Sequence, residues 1–114
     1  MVRKCVAKVL GKEYNVFVGK REELENKLPE DWDGACYTYD KNIYIVEDFE
    51  DVLTVEGRAE LIEEVLTHEL AHAFVFESGY NVHSDEENLV VWLSRVSRKL
   101  VNCVLEVLDE LGEI

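Results

Sequence analysis

His68-Glu69-Leu70-Ala71-His72 lies in the middle of a proline-free segment with helical spacing, and this stretch decides how the chain is read. Leu61, Val65, His68 and His72 follow i, i+4, i+7 and i+11 spacing and form one stripe, while Leu66, Leu70, Ala73 and Phe74 add apolar surface around the same helix. Gly79 suits a left-handed position just past a helix end, so a helix is expected over about 57–78, with both histidines partly buried in its second half. Residues four apart on a helix stand one turn apart on the same side, so the two imidazoles can reach a single zinc ion about 2 Å from each. Glu69, next to the first of them, stays free to take a proton from a metal-bound water. The plain alternative is a pair of core histidines with Glu69 solvated. Two histidines and a carboxylate on an inward stripe need hydrogen-bond partners or a cation to offset desolvation, and a metal meets that need directly.

Zinc of the catalytic kind takes a third protein ligand and keeps a fourth position open. The continuation H-E-x-x-H-x-x-G-x-x-H would need glycine and histidine where the chain has Val75 and Ser78, so that route is closed. The other route takes a glutamate from a second helix, and Ser84-Asp85-Glu86-Glu87-Asn88-Leu89-Val90-Val91-Trp92-Leu93 opens one. Ser84 as N-cap and Glu87 three residues on match a capping box, which occupies Glu87. Glu86 shares its face with Leu89, Val90, Leu93, Val96 and Leu100, the side that has to pack inward, and is the candidate third ligand. Both acids also suit the first turn of a helix for reasons of dipole alone. His83, in the intervening loop, is the rival ligand, and His83 or Tyr80 could stabilise an oxyanion.

Over 68–93 the chain resembles the gluzincin clan of zinc metallopeptidases, above all its minimal members: the minigluzincins, small prophage-encoded zincin-like proteins and ImmA/IrrE-type peptidase domains. In that pattern the H-E-x-x-H helix is followed by a glutamate helix of the form E-x-x-[AL]-x-x-[FW]-[AL], which Glu86, Leu89, Trp92 and Leu93 fit. The resemblance implies zinc held by His68, His72 and Glu86, Glu69 as catalytic base, and a peptide or protein as substrate. Val90 departs from it, since many clan members carry Asp or Asn there; a contact to a ligand histidine is then missing or supplied from elsewhere. Some minimal members are latent, with the cleft covered by a neighbouring segment. A zinc-binding but inactive interaction or regulatory protein, prophage-associated in kind, is therefore the alternative.

The N-terminal half reads as a small sheet. Lys4-Cys5-Val6-Ala7-Lys8-Val9-Leu10 and Tyr14-Asn15-Val16-Phe17-Val18 flank Gly11-Lys12-Glu13, and Cys36-Tyr37-Thr38-Tyr39 and Asn42-Ile43-Tyr44-Ile45-Val46 flank Asp40-Lys41, which predicts two hairpins. A short helix is expected over 20–28, stopped by the turn residues Pro29-Glu30-Asp31-Trp32-Asp33-Gly34. In gluzincins a strand in this neighbourhood rims the cleft, so the resemblance makes the 43–46 strand or its hairpin partner the candidate rim; an ordinary core strand is the other reading. The expected class is α+β: a small N-terminal sheet of two hairpins with a short helix, then the motif helix and a long glutamate helix over 85–111 that stops at Gly112.

At 114 residues and 47% hydrophobic, with no repeat, low-complexity run or linker, the chain is expected to form one domain over 1–114. Twenty-five acidic against 12 basic residues give a net charge of −13, which argues against nucleic acid or an anionic membrane surface as partner. Met1-Val2-Arg3-Lys4 leads straight into strand-like sequence without the apolar core of a signal peptide. Cys5, Cys36 and Cys103 are widely spaced and lack C-x-x-C pairing, as suits reduced thiols in a cytoplasmic protein. The apolar stripe of the last helix fits packing on the sheet or on a second copy, so the oligomeric state stays open.

Overall fold

A computed structural model of the chain describes residues 1–49, 52–79 and 86–112, with the side chains of 86–95 excepted. Four strands precede two helices: β1 (Arg3–Val9), β2 (Lys12–Gly19), β3 (Gly34–Tyr37), β4 (Asn42–Val46), α1 (Val55–Ser78) and α2 (Glu86–Leu111). The strands form one sheet in the order β1-β2-β4-β3.

Alternation along the strands sets the two faces. In β1, Cys5, Ala7 and Val9 are buried while Lys4, Val6 and Lys8 point outward, and in β2 Tyr14, Val16 and Val18 join the same core. The β1–β2 pair is antiparallel, with Val9 opposite Lys12. Its turn is therefore Leu10-Gly11, both at positive φ (48° and 86°), and Lys12 and Glu13, expected in the turn, belong to β2. This is the backbone twist that two-residue hairpin turns favour. The β3–β4 pair is also antiparallel, with Tyr37 opposite Asn42.

What the strand patterns do not announce is the join between these pairs: β2 and β4 run parallel, from Asn15 opposite Asn42 to Gly19 opposite Val46. The sheet is thus mixed, not simply two hairpins side by side. A parallel pair needs the chain to return between its strands, and β3 makes that return: Gly19 lies opposite Val46 and Gly34 opposite Ile45, so the segment between β2 and β3 begins and ends at one end of the sheet. The helix expected over 20–28 is only a 3-10 turn, Arg21–Leu24. Leu24 and Leu28 are the apolar residues of this segment, and they pack with Ala35, Tyr44 and Val46 on the sheet face away from the main core. One turn suffices to bury them, and so short a segment cannot offset the cost of nucleating a free-standing α-helix. Because β4 is covered on both faces, Ile43, Tyr44, Ile45 and Val46 are all buried, which is why it reads as a continuous apolar run.

Both helices pack on the other face. Ile62, Leu66, Leu70, Ala73 and Phe74 of α1 meet Val96, Cys103, Val104, Val107 and Leu108 of α2 in the core that also holds Val9, Tyr14, Ile43 and Ile45. Along α2, Val96, Val104 and Leu108 form a buried apolar stripe, with Leu100 and Leu111 partly buried against the same core. Its end is also where the sequence sets it: Gly112, at φ 75°, donates its N–H to the carbonyls of Leu108 and Asp109 at 3.0 and 3.2 Å. Among the described residues, no helix is long and apolar enough to cross a membrane.

Candidate metal centre

The motif helix forms where the spacing predicts, with both ends capped. Thr54 Oγ1 accepts the Gly57 N–H at 3.0 Å, and Gly79, left-handed at φ 71°, donates its N–H to the Phe76 carbonyl at 3.3 Å. Between these caps the fully buried stripe is Ile62, Leu66, Leu70 and Ala73 with Phe74 beside it. The stripe of Leu61, Val65, His68 and His72 lies next to it, and its two apolar members are only half-buried.

Both histidines are exposed, contrary to the partial burial expected of them. They stand on the face turned from the sheet core toward a cleft. Their rings lie 4.8 Å apart at 77°, with His68 Nε2 and His72 Nε2 separated by 3.2 Å. Two nitrogens on one tetrahedral zinc, each about 2.0–2.1 Å from it, stand about 3.3 Å apart, so the pair already has the spacing a shared ion demands. In neutral imidazoles the same contact accommodates a proton donated from one ring to the other.

Glu69 is the buried member of the motif, at 8% exposure, and makes no hydrogen bond or ion pair among the described residues. Burial pushes its carboxyl above the usual glutamate range, with His68 and His72 pulling the other way. Room for it comes from Gly34 at the start of β3. A Cβ there would stand 2.6 Å from Val65 Cγ1 and 3.2 Å from both Glu69 Cγ and Oε2, so the strand approaches the helix as closely as only glycine permits.

The cleft has a volume of about 740 Å³. Ala35, Cys36 and Thr38 from β3 and its turn form one wall, while Val75 and Phe76 continue the helix wall beyond His72. β4 lies inside the sheet between β2 and β3, whereas β3, among the described residues, pairs on one side only and borders the cleft. Cys36 is pushed up to about 12 by burial, then by the nearby Glu69 and Glu77 carboxylates, and contributes a neutral thiol to this wall.

Of the expected third ligands, Glu86 is the first residue of α2, but its side chain and that of Glu87 lie outside the described residues, as do Tyr80, His83 and Ser84. Among the described residues no three metal-ligating side chains converge. The donors that are described, two imidazoles at a shared-ion spacing with an acid beside them, fit zinc by donor type and separation.

Gly34, Trp32 and Phe76 escaped the sequence reading as cleft residues. Phe76 continues the i, i+4 row of His68 and His72, a signal that was available. Gly34 and Trp32 carried no such signal, since a glycine after Trp-Asp reads as a turn. Glu77 was also missed, although it lies four residues after buried Ala73. Its carboxylate accepts hydrogen bonds from Tyr14 Oη at 2.6 Å and Lys41 Nζ at 2.7 Å, which ties the end of α1 to β2 and to the β3–β4 turn.

No protein-family model matches this chain, and no curated protein or solved structure matches it significantly.

Proposed function

We propose that the chain is a zinc-dependent peptide hydrolase of the minimal gluzincin type, with His68, His72 and Glu86 as metal ligands and Glu69 as general base. The observation that carries this reading is the 3.2 Å convergence of His68 Nε2 and His72 Nε2 beside a buried carboxylate in an open cleft. Zinc bound there supplies a Lewis acid that acidifies water and polarises a carbonyl. Glu69, with its carboxyl held above the ordinary range, takes the proton of the attacking water and then returns it to the leaving amine. The edge of β3 that is unpaired among the described residues suits an extended peptide laid antiparallel or parallel to it through main-chain hydrogen bonds. The acidic surface disfavours nucleic acid, and three free thiols suit a reducing, cytoplasmic setting.

Metal analysis of protein purified without chelators is expected to find zinc, and a zinc-free preparation that takes up none on addition would overturn the reading. Glu69→Gln is expected to keep the metal and to lower peptide cleavage by about 10²–10⁴-fold. Zinc without cleavage by the parent chain across a peptide library would assign it instead to the latent, zinc-binding class of regulatory or interaction proteins.

A further inference from the structure

Beside the histidines the cleft continues into a second lobe of about 320 Å³ that opens onto His68 and Glu69. Its apolar lining is Val65 and Leu61, about one and two turns before His68. Trp32, 53% exposed, also lines the lobe, as do Asp33 beside it and Glu64, one turn before His68 on α1. Asp33 is partly spoken for: Arg21 Nη2 reaches its Oδ1 at 2.9 Å, while Arg21 Nη1 donates to the Trp32 carbonyl at 2.9 Å and so braces the loop. Glu64 is exposed and has no ion-pair partner among the described residues. No lysine or arginine is among the described residues that line this lobe. The main lobe differs, for Ala35, Cys36, Thr38, Val75 and Phe76 bring no charge.

Apolar residues, a carboxylate and an aromatic ring lining one lobe are together complementary to one kind of side chain. Lysine and arginine lay a methylene stem on apolar surface and keep a cationic end for a carboxylate or an aromatic ring. We infer that the second lobe receives a lysine or arginine side chain adjacent to the cleaved bond, so that the substrates are peptides with a basic residue next to that bond. This rests on the zinc-hydrolase reading above. The net charge of −13 acts in the same direction at longer range, by drawing basic peptides to the protein. A uniform long-range field cannot distinguish one substrate position from another, whereas Glu64 can.

Hydroxamates test the inference without requiring turnover. The probes are acetohydroxamate and N-acetyl-lysine, N-acetyl-norleucine and N-acetyl-glutamate hydroxamates, with the same three side chains also presented in the reverse orientation on malonyl hydroxamates. Each is titrated against zinc-loaded wild-type chain and Glu64→Lys. In at least one orientation the lysine probe is expected to bind about tenfold more tightly than the glutamate probe, with norleucine between them, a preference that shrinks at high salt. Glu64→Lys is expected to reverse the order while leaving acetohydroxamate affinity unchanged. Equal affinity for the three side chains in both orientations, with acetohydroxamate bound, overturns the basic-residue subsite and leaves the zinc centre standing. Failure of every probe, acetohydroxamate included, removes the centre and the subsite together.

Discussion

Glu69 is held against the start of β3 with no side chain between them. The contact distances at Gly34 make this a steric requirement, since an added methyl group meets Val65 Cγ1 at 2.6 Å before it meets the carboxylate at 3.2 Å. Gly34→Ala is therefore expected to destabilise the fold by about 1–3 kcal/mol, the usual cost of overpacking. Adding Val65→Ala removes the harder collision and is expected to restore part of that loss in urea unfolding. If Gly34→Ala alone unfolds at the wild-type midpoint, the close approach of strand and helix is wrong. The motif residues were legible from letters because their spacing is a property of the helix itself. Gly34 was not, because its role exists only where two distant segments meet.

At the scale of elements, α1 depends on being fixed at its far end. Tyr14 from β2 and Lys41 from the β3–β4 turn both donate to Glu77, whose side chain is only 8% exposed, and the Lys41 ammonium also lies 5.0 Å from the Phe76 ring centre. Desolvation raises the Glu77 carboxyl, but the hydrogen bonds from Lys41 and Tyr14 and the Lys41 charge outweigh it, and the net shift is downward. A depressed carboxyl contributes stability that is fully present above the ordinary glutamate range and is lost as pH falls through its folded value. Lys41→Met is expected to cost about 1–3 kcal/mol at neutral pH by leaving a buried acceptor under-satisfied. The variant should also show a shallower loss of stability on acidification, read from urea midpoints between neutral pH and the acid limb. A parallel displacement of the two curves at all pH values would remove Glu77 as the origin. The hairpin turn that carries Lys41 was legible in the sequence. Its attachment to α1 was not, because nothing local distinguishes this lysine from a solvated one.

For the whole molecule, the excess of 13 negative charges on 114 residues sets a self-repulsion that the fold carries at low ionic strength. Raising salt from a few millimolar to physiological strength shortens the Debye length to about 8 Å. Tm is accordingly expected to rise by several degrees in sodium chloride, more than for Glu64→Lys measured in parallel, since that change lowers the net charge by two. A Tm independent of salt in both proteins would mean that the acidic residues are already offset by partners within the fold.

The two helices, their glycine stops and the pair of antiparallel strand pairings follow from periodicity, caps and turn residues, all of which act over a few neighbouring residues. Local energetics suffices for them. The parallel join of β2 to β4, the inner place of β4, the exposure of His68 and His72 and the burial of Glu69 between them depend on contacts between segments distant in the sequence. Hydrophobic spacing specifies that a helix has an inward side; which of two adjacent stripes turns inward is decided by the surface that packs against it. In α1 the sheet and α2 take Ile62, Leu66, Leu70 and Ala73, and that choice turns the neighbouring stripe, with its two imidazoles, to the cleft.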